Sequence, residues 1–227
     1  MRRTKSGWVM PVTATVCLMG FVALLVAASL QPARGPLGID SAWNTLMESA
    51  STSVLIGVAK MLSVVGGTIV SGLVIPAVLI LALLAMRRRW AATFVFLTCV
   101  LRGAVVAVVK ELVGRPRPEG RLVATNSESF PSGHSASAAI IVLMLVLIFS
   151  SQRWLPYLGG LYVLAMMWSR TYLHVHWLTD TIAGALLGVA AALAVWIVLR
   201  ERIARESLSG AAGGTGISSS SEKTENY

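Results

Sequence analysis

Two apolar runs joined by three arginines decide the fold of this chain. They are residues 67–86 (GTIVSGLVIPAVLILALLAM), then Arg87-Arg88-Arg89, then residues 90–109 (WAATFVFLTCVLRGAVVAVV). Each run has about the twenty residues that an α-helix needs to cross the hydrocarbon core of a bilayer. Because only three basic residues separate the runs, we expect two neighbouring transmembrane helices joined by a tight turn.

The composition of the whole chain supports a membrane protein. Apolar residues make up 56% of the 227 residues and charged residues only 13%, and the charges are bunched between apolar runs. Four further runs are long enough, or nearly so, to cross a bilayer: residues 8–30, 133–149, 154–168 and 178–199. We therefore predict an all-α fold with six transmembrane helices in one domain, residues 1–206, and a disordered Gly/Ser-rich cytoplasmic tail, residues 207–227.

The first run, residues 8–30, follows Arg2, Arg3 and Lys5. It could also be a secretory signal peptide, because Ala27-Ala28-Ser29 faintly resembles a cleavage site. The run is longer than the apolar region of an ordinary signal peptide, which has about 7–15 residues. An uncleaved membrane anchor is therefore the favoured interpretation.

Basic residues between the runs orient the predicted helices. The positive-inside rule places the N-terminal cluster, Arg87–Arg89, Arg153 and the cluster that starts at Arg200 in the cytoplasm, together with both termini. The cations that follow the third run, and Arg170 after the fifth, break the rule because they fall on the outer face. An anion-binding site on the outer face of the membrane would explain these exceptions.

The segment between the first two runs, residues 32–66, is too polar at its start to cross the membrane. Apolar residues recur in it at helical spacing, namely Ile39, Trp43, Leu46, Met47 and Ala50, and polar residues fall on the other side, namely Asp40, Ser41, Asn44 and Glu48. This pattern predicts a short amphipathic helix that lies on the outer leaflet or packs on top of the helix bundle.

Three short segments place ionisable groups at the predicted outer face. They are Lys110 with Arg117-Pro118, then Pro131-Ser132-Gly133-His134, then Ser169-Arg170 with His176 and Asp180. Charges next to a bilayer are costly unless they bind or react with something, so these residues are functional candidates.

A histidine and a carboxylate stand four residues apart where the sixth run begins. A helix would put His176 and Asp180 on one face, so that the carboxylate accepts the proton of one ring nitrogen and leaves the other nitrogen as a nucleophile. An isolated pair of this spacing also fits a helix end that is only capped and packed.

The fourth run opens with a turn suited to an anion. Unpaired N–H groups at a helix start, with Ser132 and Gly133, suit phosphate oxygens, and His134 could protonate a leaving alkoxide. An ordinary serine N-cap fits the same residues. Lys110, Arg117 and Arg170 could neutralise a phosphoryl transition state, although each one alone also fits an interface anchor.

The combination of the three segments resembles the signature of the type-2 phosphatidic acid phosphatase family. In the first segment, six residues separate Lys110 from Arg117-Pro118. The second segment is Pro131-Ser132-Gly133-His134. In the third, five residues separate Ser169-Arg170 from His176, and three more separate His176 from Asp180. Every position is filled in the family's order. The resemblance is tight over residues 110–180 and loose over 37–199, and it implies a six-helix membrane phosphatase with its catalytic centre at the outer face.

The resemblance also implies a role for each residue. His176 is the expected nucleophile, Asp180 orients it, and His134 is the acid for the leaving group and then the base for water. The expected phosphate ligands are Lys110, Arg117, Ser132, Gly133 and Arg170. Arg115 and Ser169 are expected in support, and His174 is interpreted as an exposed loop histidine without a role. Neither a metal nor another cofactor is implied.

The implied substrate is a lipid phosphate within the bilayer of a bacterial plasma membrane. Undecaprenyl diphosphate ranks first, and the other candidates are phosphatidylglycerophosphate, phosphatidic acid and diacylglycerol diphosphate. The family also contains soluble haloperoxidases, which the apolar runs exclude, and lipid phosphotransferases, which they do not.

Two other classes of function fit less well. A lipid-binding or transport protein would have charges at mid-membrane depth and repeated halves, whereas these charges cluster at one face. A net charge of +9 could suggest a nucleic-acid partner, but the Lys and Arg residues lie at the ends of apolar runs. Cys17 and Cys99 lie inside apolar runs and match no metal-ligand pattern. The sequence leaves the oligomeric state open.

Overall fold

The computed structural model of the protein describes residues 8–67, 69–125, 128–149 and 151–214. These residues form eight α-helices: α1 Val9–Leu30, α2 Gly38–Ser49, α3 Ser53–Val65, α4 Ile75–Ala85, α5 Arg89–Val113, α6 Gly133–Ile148, α7 Leu155–Tyr172 and α8 Leu178–Gly214. A 3-10 turn, Pro32–Arg34, follows α1, and a π-helical turn, Val70–Val74, leads into α4. No strand occurs among the described residues, and the predicted all-α fold is confirmed.

Four segments are long and apolar enough to cross a membrane: Val9–Leu30, Ser53–Ala85, Arg89–Val113 and Leu178–Leu208. Only 6% of the most apolar part of α1 is buried within the protein, so its large side chains face the surroundings. α6 is apolar but has only 16 residues, and α7 has 18. The number of helices that span the bilayer therefore stays a prediction.

The helix before α4 begins earlier than the sequence suggested. α3 starts at Ser53, where the Thr52 hydroxyl accepts a hydrogen bond from the backbone N–H of Leu55 at 3.3 Å. The apolar run was expected to start at residue 67, after a segment, residues 32–66, that is too polar at its start to cross the membrane. Lys60 and Ser63 of α3 line a cavity.

α8 packs against α1, α5 and α6 and holds the bundle together. Its contact with α6 depends on two glycines one helical turn apart. A Cβ atom at Gly184 would lie 2.3 Å from the carbonyl oxygen of Ser132, and one at Gly188 would lie 2.7 Å from that of Ala136. Small residues at this spacing let two helix backbones approach closely. The first turns of α6 and α8 therefore lie side by side, and Ser132 N donates to the backbone oxygen of Asp180 at 3.0 Å.

α2 packs on α7 and α8, which fits the second of the two predicted arrangements. The Trp43 indole donates to the Thr171 hydroxyl at 3.0 Å, and Met47 is buried in a cluster with Tyr172 and Leu173. Asp40 was predicted on the polar, exposed side of this helix, and this prediction was wrong because Asp40 is completely buried. Its burial is stabilised by charged and polar partners from the rest of the bundle. The position of α2 relative to the outer leaflet stays a prediction.

The two chain ends are described only in part. Arg2, Arg3 and Lys5, on which the predicted orientation partly depends, lie outside the described residues. α8 continues to Gly214, so the structure has a helix where the predicted tail begins at residue 207. Residues 215–227 also lie outside the described part of the chain.

Candidate active site

A cavity of about 780 Å³ lies between α3, α5, α6 and α7. Six of the eight predicted site residues line it: Lys110, Arg117, Gly133, His134, Arg170 and His176. The other two, Ser132 and Asp180, are completely buried and do not line the cavity. The structure thus brings together residues from three segments that are far apart in the chain.

His176 lies between α7 and α8 and is only 4% exposed. Its Nδ1 atom lies 3.6 Å from Asp180 Oδ2, which is an ion-pair distance but too long for a hydrogen bond. The same Asp180 oxygen accepts a hydrogen bond from the backbone N–H of Trp177 at 2.9 Å. Asp180 therefore caps the start of α8 and also faces the histidine, so the capping and the orienting interpretations of this pair are compatible.

The other ring nitrogen of His176 faces a cation. Nε2 lies 3.3 Å from a terminal nitrogen of Arg117. Burial, and after it the positive charges of Arg117 and Arg170, hold the pKa of His176 well below its ordinary value. The ring is therefore neutral near pH 7, as a nitrogen nucleophile must be.

Backbone carbonyls and a serine hold the three signature cations at the cavity wall. The Lys110 ammonium donates to the backbone oxygen of Glu128, and the Arg117 guanidinium donates to the same oxygen at 3.0 Å and to that of Val175. Arg170, on the last turn of α7, donates to the Ser63 hydroxyl on α3. These hydrogen bonds hold the guanidinium and ammonium groups in place at the cavity wall; their role in phosphate binding stays a prediction.

The start of α6 confirms the N-cap interpretation of Ser132. Its hydroxyl oxygen accepts from the backbone N–H of Ser135 at 3.4 Å and from the Ser135 hydroxyl at 3.1 Å. Its own backbone N–H is engaged by Asp180. Gly133 and His134 follow on the cavity side, where the positive end of the α6 dipole points into the cavity. The role of Ser132 and Gly133 in phosphate binding stays a prediction.

A buried charge network behind the cavity was missed by the sequence analysis. Arg115 has no exposed surface, and it forms ion pairs with Asp180 at 2.5 Å and with Asp40 at 2.7 Å. Thr179 completes the network, since its hydroxyl accepts from Arg115 at 2.9 Å and its backbone N–H donates to Asp40 at 2.8 Å. Arg115 was expected only in a supporting position, and Asp40 on an exposed face.

His174 differs from its predicted environment, whereas Ser169 does not. His174 was interpreted as an exposed loop histidine, but it is 6% exposed and its Nδ1 lies 2.8 Å from the side-chain oxygen of Asn44. It joins α2 to the loop that carries His176. Ser169 does not line the cavity; its hydroxyl donates to the backbone oxygen of Ala59 at 2.7 Å and ties α7 to α3.

Two cations that belong to no motif also line the cavity, Lys60 on α3 and Arg102 on α5. The available signal was a charged residue inside an apolar run, which is costly in a membrane unless it has a function. Among the described residues, no group of three or more His, Cys, Asp or Glu side chains could hold a metal ion. Independence from metals stays a prediction.

The fold and this cavity define an integral membrane protein with a strongly cationic centre that contains two histidines. The model of the PAP2 superfamily matches residues 90–204, which is more than half of the chain, and the protein belongs to this family. The resemblance noted in the sequence is thereby confirmed.

Two curated relatives cover parts of the chain. Phosphatidylglycerophosphatase B of Bacillus subtilis (strain 168) is 29% identical in an alignment of 130 positions that covers 52% of this chain and 64% of the relative. Undecaprenyl-diphosphatase of Sulfolobus acidocaldarius is 40% identical over 60 residues, which are 26% of this chain and 28% of the relative. The chain thus spans just under two thirds of the first relative's length and less than a third of the second's.

Two crystal structures have the same fold. One is a transmembrane PAP2 type phosphatidylglycerolphosphate phosphatase from Bacillus subtilis, with a TM-score of 0.69 and 26% identity over 84% of this chain and 97% of that chain. The other is Aquifex aeolicus LpxE, with a TM-score of 0.61 and 21% identity over 70% of this chain and 95% of that chain. The second likeness supports the fold alone.

Proposed function

We propose that this protein is a membrane lipid phosphatase that hydrolyses the terminal phosphate of a lipid phosphate or diphosphate through a phosphohistidine at His176. One observation carries the proposal: His176 and His134 line one cavity with the three signature cations, and the Asp180 carboxylate faces the ring of His176. Membership of the PAP2 superfamily supports it.

The geometry suggests how the residues share the reaction. Because Nδ1 of His176 faces Asp180, Nε2 is the nitrogen that attacks phosphorus. The new N–P bond forms as the P–O bond to the lipid breaks, and His134 gives its proton to the departing oxygen. His134 then takes a proton from water, whose oxygen attacks the phosphohistidine and releases inorganic phosphate. Asp180 stabilises the cationic imidazole, and Lys110, Arg117 and Arg170 stabilise the charge on the phosphoryl oxygens.

Undecaprenyl diphosphate is our first candidate substrate and phosphatidylglycerophosphate our second. The second is favoured by the likeness to the Bacillus subtilis structure, which covers 84% of this chain. In either case the lipid tail would remain in the bilayer while the headgroup enters the cavity. We further propose six spans in a bacterial plasma membrane, both termini in the cytoplasm and a site on the outer face, because the basic loops opposite the site then obey the positive-inside rule.

Phosphate release from a panel of lipid phosphates tests this function. The full chain, purified in detergent, is expected to release phosphate in the presence of EDTA, because three cations replace the divalent ion of many phosphoryl-transfer enzymes. Activity that is lost on chelation and restored by a divalent ion would contradict the assigned roles. An assay with an added alcohol acceptor separates hydrolysis from phosphotransfer.

Two variants test the nucleophile. His176→Ala is expected to abolish turnover on every substrate, and near-normal activity of this variant would exclude the phosphohistidine. Asp180→Asn is expected to lose much of the rate, since an amide cannot stabilise the imidazolium. It is also expected to lower the melting temperature, because it weakens the buried ion pair with Arg115. Arg205→Gln, a change of one exposed cation on α8, serves as the control.

A further inference from the structure

The cavity holds more positive charge than one phosphate group requires. Five of its lining residues are Lys or Arg, and none of its described lining residues is Asp or Glu. Three of the five cations belong to the signature and surround the proposed reaction centre. The other two are Lys60 and Arg102, whose charges have no role in the mechanism given above.

Arg102 is the more unusual of the two, because it lies inside the apolar helix α5. A cation at this depth is costly unless it faces a partner or a polar cavity. Its Nε atom is buried and has no hydrogen-bond partner among the described residues. Its neighbour Gly103 also lines the cavity, and a Cβ atom at this glycine would meet nothing within 4 Å. The helix therefore leaves room for a ligand beside Arg102.

The position of Arg102 along α5 gives the direction of this ligand. Arg102 precedes Lys110 by eight residues, which corresponds to about 12 Å along a helix axis. Arg102 is thus closer to the start of α5, whereas Lys110 is near the end of this helix, where its ammonium donates to the backbone oxygen of Glu128. A lipid whose terminal phosphate meets Lys110 would extend in the same direction, towards the hydrocarbon. Lys60 lines the cavity from α3, one turn before the Ser63 that binds Arg170.

We propose that Arg102, assisted by Lys60, binds a second phosphate group of the same lipid, the one that the lipid keeps after hydrolysis. The substrate class is thus a lipid with two phosphates rather than one. The two phosphates share a bridging oxygen in a polyprenyl diphosphate and are separated by one glycerol in a phosphatidylglycerophosphate. Both offer the anionic oxygens that a guanidinium binds in a bidentate manner. This inference rests on the proposed phosphatase function.

The test compares substrates with one and two phosphates on the full chain in detergent. Phosphate release is measured for phosphatidic acid, for a polyprenyl diphosphate and for phosphatidylglycerophosphate, all with short chains. Arg102→Gln is expected to lower kcat/KM for at least one of the two-phosphate lipids by about tenfold or more relative to that for phosphatidic acid, the effect of a lost charge-assisted hydrogen bond. The ratio of kcat/KM for a two-phosphate lipid to that for phosphatidic acid is expected to recover in part in Arg102→Lys. The same ratio is expected to fall less in Lys60→Gln than in Arg102→Gln. The lipid whose ratio falls identifies the source of the second phosphate.

Arg205→Gln is the matched control, since it removes an exposed cation of α8 and is expected to keep the wild-type ratio. Equal losses of Arg102→Gln on all three lipids, or no loss on any, would overturn the second-phosphate site. Such a result leaves the phosphatase function intact, because the wild-type protein still releases phosphate. A wild-type protein that releases phosphate from none of the three lipids would instead contradict the proposed function itself.

Discussion

His176 lies between a carboxylate at one ring nitrogen and a guanidinium at the other. The carboxylate favours the protonated ring, but burial and the surrounding cations oppose it and lower its pKa. The balance keeps a neutral ring in a cavity that attracts phosphate. If His176 is the proposed nucleophile, its ring is already unprotonated before an anionic substrate binds, because burial and the cations lower its pKa.

This environment predicts the pH dependence of the reaction. The nucleophile must be neutral, and its pKa is lowered, so the acid limb of kcat/KM is expected below pH 6.5, the ordinary pKa of a histidine. Arg117→Gln removes a neighbouring cation, which raises the pKa of His176 and shifts this limb to higher pH, in addition to slowing the reaction. Profiles of kcat/KM against pH for the two proteins check this. An acid limb that lies above 6.5 in the wild type, or moves down in the variant, would contradict the assignment.

His134 is tested by the leaving group rather than by pH. It lies on the first turn of α6 at the cavity wall, where it can reach the oxygen that departs from phosphorus. His134→Ala is expected to lose most of its activity on lipid esters but far less on an aryl phosphate, because a phenolate leaves with little protonation. Rates for the two substrates are compared in one detergent, with His176→Ala as the inactive reference. Equal losses on both substrates would assign His134 to binding or to folding.

At the scale of helices, α2 is joined to the site through a buried bridge of charges. Asp40 on α2 pairs with Arg115, and Arg115 pairs with the carboxylate that faces His176. Two charges that are buried together stabilise little on balance, but a buried charge that loses its partner is very unfavourable. The amphipathic helix is therefore linked to His176, the proposed nucleophile, through Arg115 and Asp180, although it does not line the cavity.

Removal of Asp40 tests this contribution. Asp40→Ala leaves Arg115 buried with one partner fewer, and we expect the free energy of unfolding to fall by about 3–5 kcal/mol and kcat to fall with it. The melting temperature in detergent and the rate on a saturating lipid measure the two effects. Glu48→Gln, which removes an exposed carboxylate from the same helix, is the control. A variant that melts and reacts like the wild type would show that α2 is dispensable for the site.

The sequence predicted the signature residues better than the buried residues that contact them. Lys110, His134 and His176 were found because each is an ionisable residue at the end of an apolar run, where its cost requires an explanation. The bridge between Asp40 and Arg115 joins residues 75 positions apart, and no local spacing relates them. Arg102 was counted as part of an apolar run, and Lys60 lies in the segment, residues 32–66, that was not predicted to cross the membrane. Only the three-dimensional packing shows that one cavity receives both charges.

At the scale of the whole molecule, the two histidines of the cavity lie at the starts of α6 and α8, two helices in close contact. Ser132 and His134 open one helix, His176 and Asp180 open the other, and Gly184 lets the two backbones meet. A side chain at this glycine would have to push against a carbonyl group of the backbone, which cannot rotate away as a flexible side chain can.

Gly184→Ala is therefore expected to destabilise the protein although alanine favours a helix. The added Cβ would lie 2.3 Å from the Ser132 carbonyl oxygen, so α6 and α8 must separate, at a cost of about 1–3 kcal/mol. Separation also moves His134 away from His176, and the rate on lipid substrates should fall more than tenfold, since small displacements of catalytic groups are costly. Gly160→Ala makes the same change inside α7, where a Cβ would meet nothing within 4 Å, and it should keep or slightly raise the melting temperature. If the two variants melt and react alike, the close contact of α6 and α8 does not position the catalytic histidines.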